Sequence, residues 1–385
     1  MQLLADILTY QPLLFALVLV FTFVRRCRMG VAAQVAWTVA LFACAAKFVF
    51  FKHFGGGTAF NPELPEKLIW AWNWAYSGMC LLLLLSIAFF FLRPRARLYA
   101  LPVLAWAMSA VGVWNGVKVP EVREVEVSFE SLPESLDGYR ILHITDLHAS
   151  SAATRWRTEA IVERANAAKA DLIAVTGDLV DGMPGRQSAN LEPIRNLSAK
   201  DGVLHCTGNH EYYGDWKGWA AKYREWGVRF LDGCWTSPRP GLAVAGVRDP
   251  ACKRVSVPAP DASSAFDGAT NGEFRVLLQH RPYLDPVKTG VRPLEDFDLQ
   301  LSGHTHGGVA PLMKWLVGRF NNGYVGGLYD LGRGRRLFVS RGAGQWAGFP
   351  IRFFDDPEMT VVELRRRDCG TMHDKLEKGA NAGIK

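Results

Sequence analysis

The sequence predicts an α/β protein built in two parts: an N-terminal four-helix transmembrane region, then a two-sheet αββα sandwich. Three observations carry this. Four uncharged apolar windows fill the first 117 of 385 residues. After them, strand-like and helix-like segments alternate, as a layered α/β arrangement requires. Short clusters of Asp, His and Asn then recur just past the strand-like runs. We expect boundaries at 1–117 for the membrane region, 118–366 for the sandwich and 367–385 for a disordered tail.

The windows are 7–24, 29–46, 68–92 and 99–117. Each is near or above the roughly 18 apolar residues that a helix needs to cross hydrocarbon. A signal peptide would carry positive charge ahead of its apolar stretch. Here Arg25, Arg26 and Arg28 follow the first window instead. The first connection holds those arginines and the third holds Arg93, Arg95 and Arg97. The second, 51–67, offsets Lys52 and Lys67 with Glu63 and Glu66. Arginine-dense short loops face the cytoplasm, so the N-terminus and everything after Val117 are expected on the outer side. Phe48, Phe50, Phe51, Trp70, Trp72, Trp74 and Tyr76 suit an interfacial aromatic belt.

The first 114 residues hold nine Lys or Arg against three Asp or Glu, so they carry +6 of the formal +7. The remainder is near neutral, with no block of basic residues for nucleic acid to meet. Seven cysteines without a Cys-x-x-Cys pair do not read as a zinc site.

In the second part, 124–129 alternates as a strand does, and 139–145 is a continuous run of the kind found in buried strands. Helix follows at 154–169, strand at 172–176, helix at 191–199, strand at 202–207 and helix at 215–226. Further strands are expected at 228–231, 242–247, 274–278, 298–301, 337–339 and 359–364. The polar stretch 258–272 reads as a surface loop.

The clusters are Asp146-Leu147-His148, Gly177-Asp178-Leu179-Val180-Asp181, Gly208-Asn209-His210-Glu211, His280 and Gly303-His304-Thr305-His306. Two metal ions about 3.5–4 Å apart need a shared ligand. Asp178, alone in a Gly-Asp turn, is the better candidate to bridge. Asp146 and His148, two apart, can bind one ion together. Asn209 offers a neutral amide oxygen. His304 and His306 can reach different ions because their strand is ending. Glycines before three of the ligands permit tight turns and close approach. Nitrogen and oxygen donors alone suit Mn, Fe or Zn.

In this order the blocks resemble the calcineurin-like metallophosphoesterases, with D-x-H, G-D-x-x-D, G-N-H-D/E, H and G-H-x-H, over about 139–364. Gly307-Gly308, Gly327-Leu328-Tyr329 and Ser340-Arg341-Gly342 are similar to the YkuE/YaeI-type membrane-associated branch. The resemblance implies that Asp146, His148 and His306 hold one ion, that Asn209, His280 and His304 hold the other, and that Asp178 bridges. It also implies that His210 donates a proton to the leaving group or stabilises the transition state. Glu211 departs from the commoner aspartate. The implied reaction is hydrolysis of a phosphate ester or pyrophosphate by water activated between two divalent ions.

Relatives of this branch are similar to hydrolases of lipid-linked phosphates, among them UDP-diacylglucosamine. That compound is made on the cytoplasmic side, which conflicts with the loop charges, and we favour the charges. The apolar, basic run 311–320 is expected either to meet a lipid-bearing phosphate or to pack on the sheet as an ordinary helix. Arg341 binds phosphate or forms a surface ion pair. A membrane sensor or scaffold with an inactive metal site is the competing reading. A transporter would want ionisable groups inside the helices, and only Lys47 comes near.

Overall fold

The computed structural model describes residues 2–257, 264–270, 272–284 and 295–367. The expected tail beyond Arg367 and part of the loop at 258–272 lie outside the described residues.

The apolar windows become helices. α1 (Gln2–Leu19) continues through a π turn and a 3-10 turn to Cys27. α2 (Val31–Ala45) and α3 (Lys47–Phe54) are bent by 50° at the break between them. α4 (Glu66–Ala88) and α5 (Pro94–Val117) follow. Among the described residues, three helices are long and apolar enough to cross a membrane, or four if the bent pair is one span. Ala16, Leu19, Phe23, Leu41, Met79, Leu82 and Leu101 pack inside the bundle. Leu14, Val31, Val39, Val103 and Trp114 point outward and are exposed. A helix apolar on all sides belongs in a large core or in lipid, and these outward faces have no protein against them.

Both arginine-bearing connections sit at one end of the bundle. Arg97 donates to the carbonyls of Thr22 (2.8 Å), Ser86 (3.1 Å) and Phe89 (3.0 Å), which draws the two turns together. The other end meets the rest of the chain. There the Trp70 indole donates to the Ala152 carbonyl at 2.8 Å, and Glu66 accepts from the Thr154 amide and hydroxyl.

Two sheets follow. The first has the order β1-β11-β2-β3-β4: β1 is Glu121–Phe129, β2 Arg140–Ile144, β3 Leu172–Thr176, β4 Val203–Cys206 and β11 Glu358–Arg366. The second has the order β5-β6-β7-β8-β10-β9: β5 is Cys234–Arg239, β6 Leu242–Val247, β7 Phe274–Gln279, β8 Leu299–Ser302, β9 Gly327–Gly332 and β10 Arg335–Val339. Both sheets are mixed. β2, β3 and β4 run parallel, as do β6, β7, β8 and β10.

The sheets share one core: Ile141, Leu172, Leu204 and Val362 meet Val244, Val276, Leu301 and Phe338. The helices α6 (Arg155–Ala167), α7 (Pro184–Leu191) and α8 (Trp216–Glu225) cover the other face of the first sheet. Ile161, Leu191 and Trp219 are buried there with Leu142, Ile173 and Val175. A strand covered on both faces reads as a continuous apolar run, as β3 does.

Two expected elements are corrected. Residues 228–231 form no strand, since only Phe230 bridges to His205. The helix expected at 191–199 lies earlier: α7 ends at Leu191 and becomes a 3-10 turn, Glu192–Asn196. Pro193 lacks the N–H an α-helix would need there. The edge strands β5 and β9 were not foreseen.

Candidate metal centre

Every cluster lies just past the C-terminal end of a parallel strand. Asp146 follows β2, Asp178 follows β3, Asn209 follows β4, His280 follows β7 and His304 follows β8. That edge is where open α/β sheets place their ligands, because the loops there leave a crevice. Five of these residues, Asp146, His148, Asp178, His304 and His306, have φ between 50° and 71°. Non-glycine residues enter that left-handed region rarely and at a cost, so backbone strain is concentrated in the cage. Gly303 abuts Asp146 and Gly208 abuts Asp178, so closely that a Cβ at either would overlap the carboxylate.

The donors gather into groups. Asp146, His148 and His306 form one, and Asp178, His280 and His304 another, each with ligand atoms within 4.8 Å of one another. His148 Nε2 and His306 Nε2 are 3.2 Å apart, and His306 Nε2 is 3.3 Å from Asp146 Oδ1. Asp178 Oδ2 lies between the groups, 3.2 Å from His280 Nε2 and 3.9 Å from His148 Nε2. Its other oxygen is committed, accepting the His210 amide at 2.8 Å. Asp146 is fixed by Thr145 Oγ1 and by the His304 amide, at 2.8 and 2.9 Å.

The outward ring nitrogens set the inward ones. His280 Nδ1–H donates to the Thr176 carbonyl at 2.7 Å, which leaves Nε2 facing the cage. His148 Nδ1–H donates to Asp181 Oδ1 at 3.1 Å, and His210 Nδ1–H donates to the same oxygen at 2.5 Å. Such outer partners fix ring orientation and tautomer at metal sites. Asp181, the second aspartate of the Gly-Asp-x-x-Asp block, therefore orients two imidazoles. The sequence showed its position but not this role.

The donor set passes a direct test of fit. Asn209 Oδ1 and His280 Nε2 are buried and have no hydrogen-bond partner. Although His280 Nε2 is only 3.2 Å from Asp178 Oδ2, the pair is not aligned as a hydrogen bond. Buried polar atoms without partners are costly, and a divalent ion would satisfy both.

Charge balance agrees. Burial alone would raise Asp178, but the imidazoles of His280 and His210 outweigh it and hold the carboxyl well below its usual range. Burial lowers His280 and His210, yet Asp178 overrides it for both, aided by Asp181 at His210, and raises them to about 10 and about 9. Cation binding at such a cage releases the His280 proton, since Nε2 must offer a lone pair. Burial holds His304 and His306 well below the ordinary imidazole value, so they present neutral rings.

Glu211 has a clear task. It is fully buried and accepts three backbone N–H groups: Asp178 (3.0 Å) and Gly208 (2.7 Å) at Oε2, Leu179 (2.6 Å) at Oε1. It ties the two ligand-bearing turns together. Burial first, and Asp178 next, raise its carboxyl to about 7.

A cleft of about 550 Å3 opens over Asp178, Asn209, His210, His304 and His306. Its wall is shared between the two parts of the chain. Trp346 and Tyr213 come from the sandwich, whereas Thr58, Phe60 and Asn61 come from the connection between α3 and α4. Arg341 is elsewhere, facing Asp355 and Glu358 at 3.9 and 3.8 Å, so the ion pair is what forms.

Residues 139–308 match the family model described as calcineurin-like phosphoesterase. A metallophosphoesterase of Campylobacter jejuni is 30% identical over 267 residues, covering 69% of this chain and 69% of that one. The chain belongs to the calcineurin-like phosphoesterase family. A Danio rerio transmembrane protein with a metallophosphoesterase domain is 30% identical over 278 residues. That match covers 69% of this chain and 62% of the Danio protein. YkuE of Bacillus subtilis is 29% identical over 279 residues, covering 68% of this chain and 93% of YkuE.

Proposed function

We propose that this phosphoesterase is a membrane-anchored, dinuclear-metal hydrolase of a phosphate ester or pyrophosphate carried by a lipid. Residues 1–117 serve as anchor and 118–366 as catalytic part. The observation that carries the reading is the shared cleft: a loop joining two membrane helices forms one wall of the space over the ligand set. A phosphate entering that space does so at the bilayer surface.

In this reading Asp146, His148 and His306 hold one ion, Asn209, His280 and His304 hold the other, and Asp178 is shared. Two divalent ions there would supply a water deprotonated near neutral pH and would neutralise phosphoryl oxygens. The chain supplies the rest. Asp181 aims His210 so that Nε2 faces the cleft, where it donates a proton to the departing oxygen. Trp346 and Phe60 give that cleft an aromatic wall. His210→Ala should lower kcat on bis-p-nitrophenyl phosphate roughly 10²–10⁴-fold with metal content unchanged. Loss of bound metal in this variant would make His210 a ligand instead.

Lipid access has a second support. The helix α9 (Pro311–Phe320) directly follows the last metal block. Much of its apolar surface faces outward: Trp315 is 74% and Phe320 71% exposed, with Met313 and Leu316 also exposed. Phe354 beside it is 78% exposed. The segment leading to α9 is tied to the last membrane helix. Phe353 N donates to Val309, Arg352 N donates to Gly112 of α5, and the Phe353 ring lies against Gly112. Gly112 precedes the end of α5 by five residues, about 7.5 Å at the helical rise. That is the depth at which interfacial helices bury apolar faces. Replacing Trp315 and Leu316 with Ser should impair turnover of lipid phosphates and spare bis-p-nitrophenyl phosphate. Equal loss on both substrates defeats the lipid-access reading.

The loop arginines lie at the bundle end remote from the cleft, which supports an outer-face catalytic part by the positive-inside rule. The proposal as a whole is tested by assaying the purified full chain with manganese against bis-p-nitrophenyl phosphate and a panel of lipid phosphates. No turnover of any of them would favour the scaffold reading.

A further inference from the structure

Lys47 is fully buried at the start of α3, just past the 50° bend. An ionisable side chain among apolar helices is expensive and signals a task. No carboxylate pairs with it among the described residues. Its Nζ donates to Asn73 Oδ1 of α4 at 2.5 Å and to the Gly348 carbonyl at 2.6 Å. The rings of Phe48, Tyr76 and Phe349 surround it, with centroids 4.1, 4.6 and 5.4 Å away. Every other close partner is in the bundle or in Phe349, so the Gly348 bond is the specific reach toward the sandwich.

Gly348 belongs to a segment, residues 343–349, that touches the cage repeatedly. The amides of Ala343 and Gly344 donate to the carbonyls of Thr145 (2.8 Å) and Asp146 (2.7 Å). The Gly344 carbonyl faces His306 Nδ1 at 3.2 Å. The Trp346 ring meets His306 edge-on at 5.3 Å. The Ala347 amide donates to Asp181 Oδ2 at 3.2 Å, and Asp181 orients His148 and His210. Lys47 is thus two hydrogen bonds and one peptide unit from the carboxylate that aims both imidazoles.

We propose that Lys47 is a positioning residue for the active site: from inside the membrane helices it holds segment 343–349 against Asp181 and over the cleft. The proposal rests on the phosphoesterase reading above. On that reading the anchor is part of the catalytic apparatus, because a lysine in a membrane helix completes the outer hydrogen bonds of the ligand set.

The test uses the full chain in nanodiscs loaded with manganese. Lys47→Met keeps length and apolar character and removes the donor. The expected result has two parts. Turnover of bis-p-nitrophenyl phosphate falls roughly 10–100-fold in kcat, the loss typical of an outer-shell partner, with KM little changed. Amide hydrogen exchange in the peptide spanning 343–349 quickens, while the melting temperature stays at or above wild type. A wild-type kcat, or a lowered kcat with unchanged exchange in that peptide, overturns the proposal. Should Lys47→Met, which leaves Asn73 Oδ1 without its donor, fail to fold, the double variant Lys47→Met/Asn73→Leu removes both partners. Apolar replacement of both partners is close to neutral for stability, and the same two readouts then decide. Wild-type chain that turns over neither the probe nor any lipid phosphate would sink the phosphoesterase reading instead, and the exchange result would still report on Lys47.

Discussion

Asp178→Asn should reduce hydrolysis of bis-p-nitrophenyl phosphate to the rate seen without added metal, while the protein remains folded. The expectation follows from the place of one oxygen. Asp178 Oδ2 is 3.2 Å from His280 Nε2 and 3.9 Å from both His148 Nε2 and His210 Nε2, so in the proposed ligand set it is the atom placed to be shared. Asparagine keeps the shape, and its carbonyl oxygen can still accept the His210 amide. What then faces the cage is an NH2 group with no lone pair for an ion. The charge that offsets two dications is lost with it. Metal analysis of the purified variant should show fewer than two ions per chain. If both ions remain and the rate drops only about 10–100-fold, the size of an outer-shell effect, Asp178 leaves the ligand set.

Glu211→Ala should be among the most destabilising single substitutions in the sandwich. It strands three buried N–H donors, those of Asp178, Leu179 and Gly208. Each orphaned donor costs about 1–3 kcal/mol, so the sum is about 3 kcal/mol or more against a typical total stability of about 5–15 kcal/mol. Glu211→Gln should not rescue it. Both carboxylate oxygens accept, and the amide nitrogen of glutamine would face an N–H at one of the two sites. The check is thermal unfolding with and without manganese. A melting temperature and manganese affinity equal to wild type in Glu211→Ala would show that the two turns hold themselves.

Much of the site was legible because its ligands obey local rules. Asp146, Asp178, Asn209, His280 and His304 each stand within a few residues of a buried apolar run, and the run ends where the strand ends. The membrane windows were legible for a similar reason, since charge inside hydrocarbon is expensive and therefore rare. The edge strands were not. β5 contains Pro238, and β9 both begins and ends in glycine, so neither shows apolar–polar alternation in its residue types, although β9 alternates in burial. Residues 228–231 carry the apolar pattern but pair through one bridge only. Asp181 was visible as a letter in its motif, yet only the converging Nδ1 atoms of His148 and His210 reveal its work.

By itself the sequence determined the succession of apolar spans, the order of the strands that end in ligands, and the chemical types in the cage. All of these are set by periodicity and by residues a few positions apart. Tertiary structure alone decided that Thr58, Phe60 and Asn61 wall the cleft and that Lys47 reaches Gly348, a partner 301 positions away. Nothing in a local pattern encodes such contacts, because they depend on how the bent α2–α3 pair stacks against a loop that leaves the opposite end of the chain.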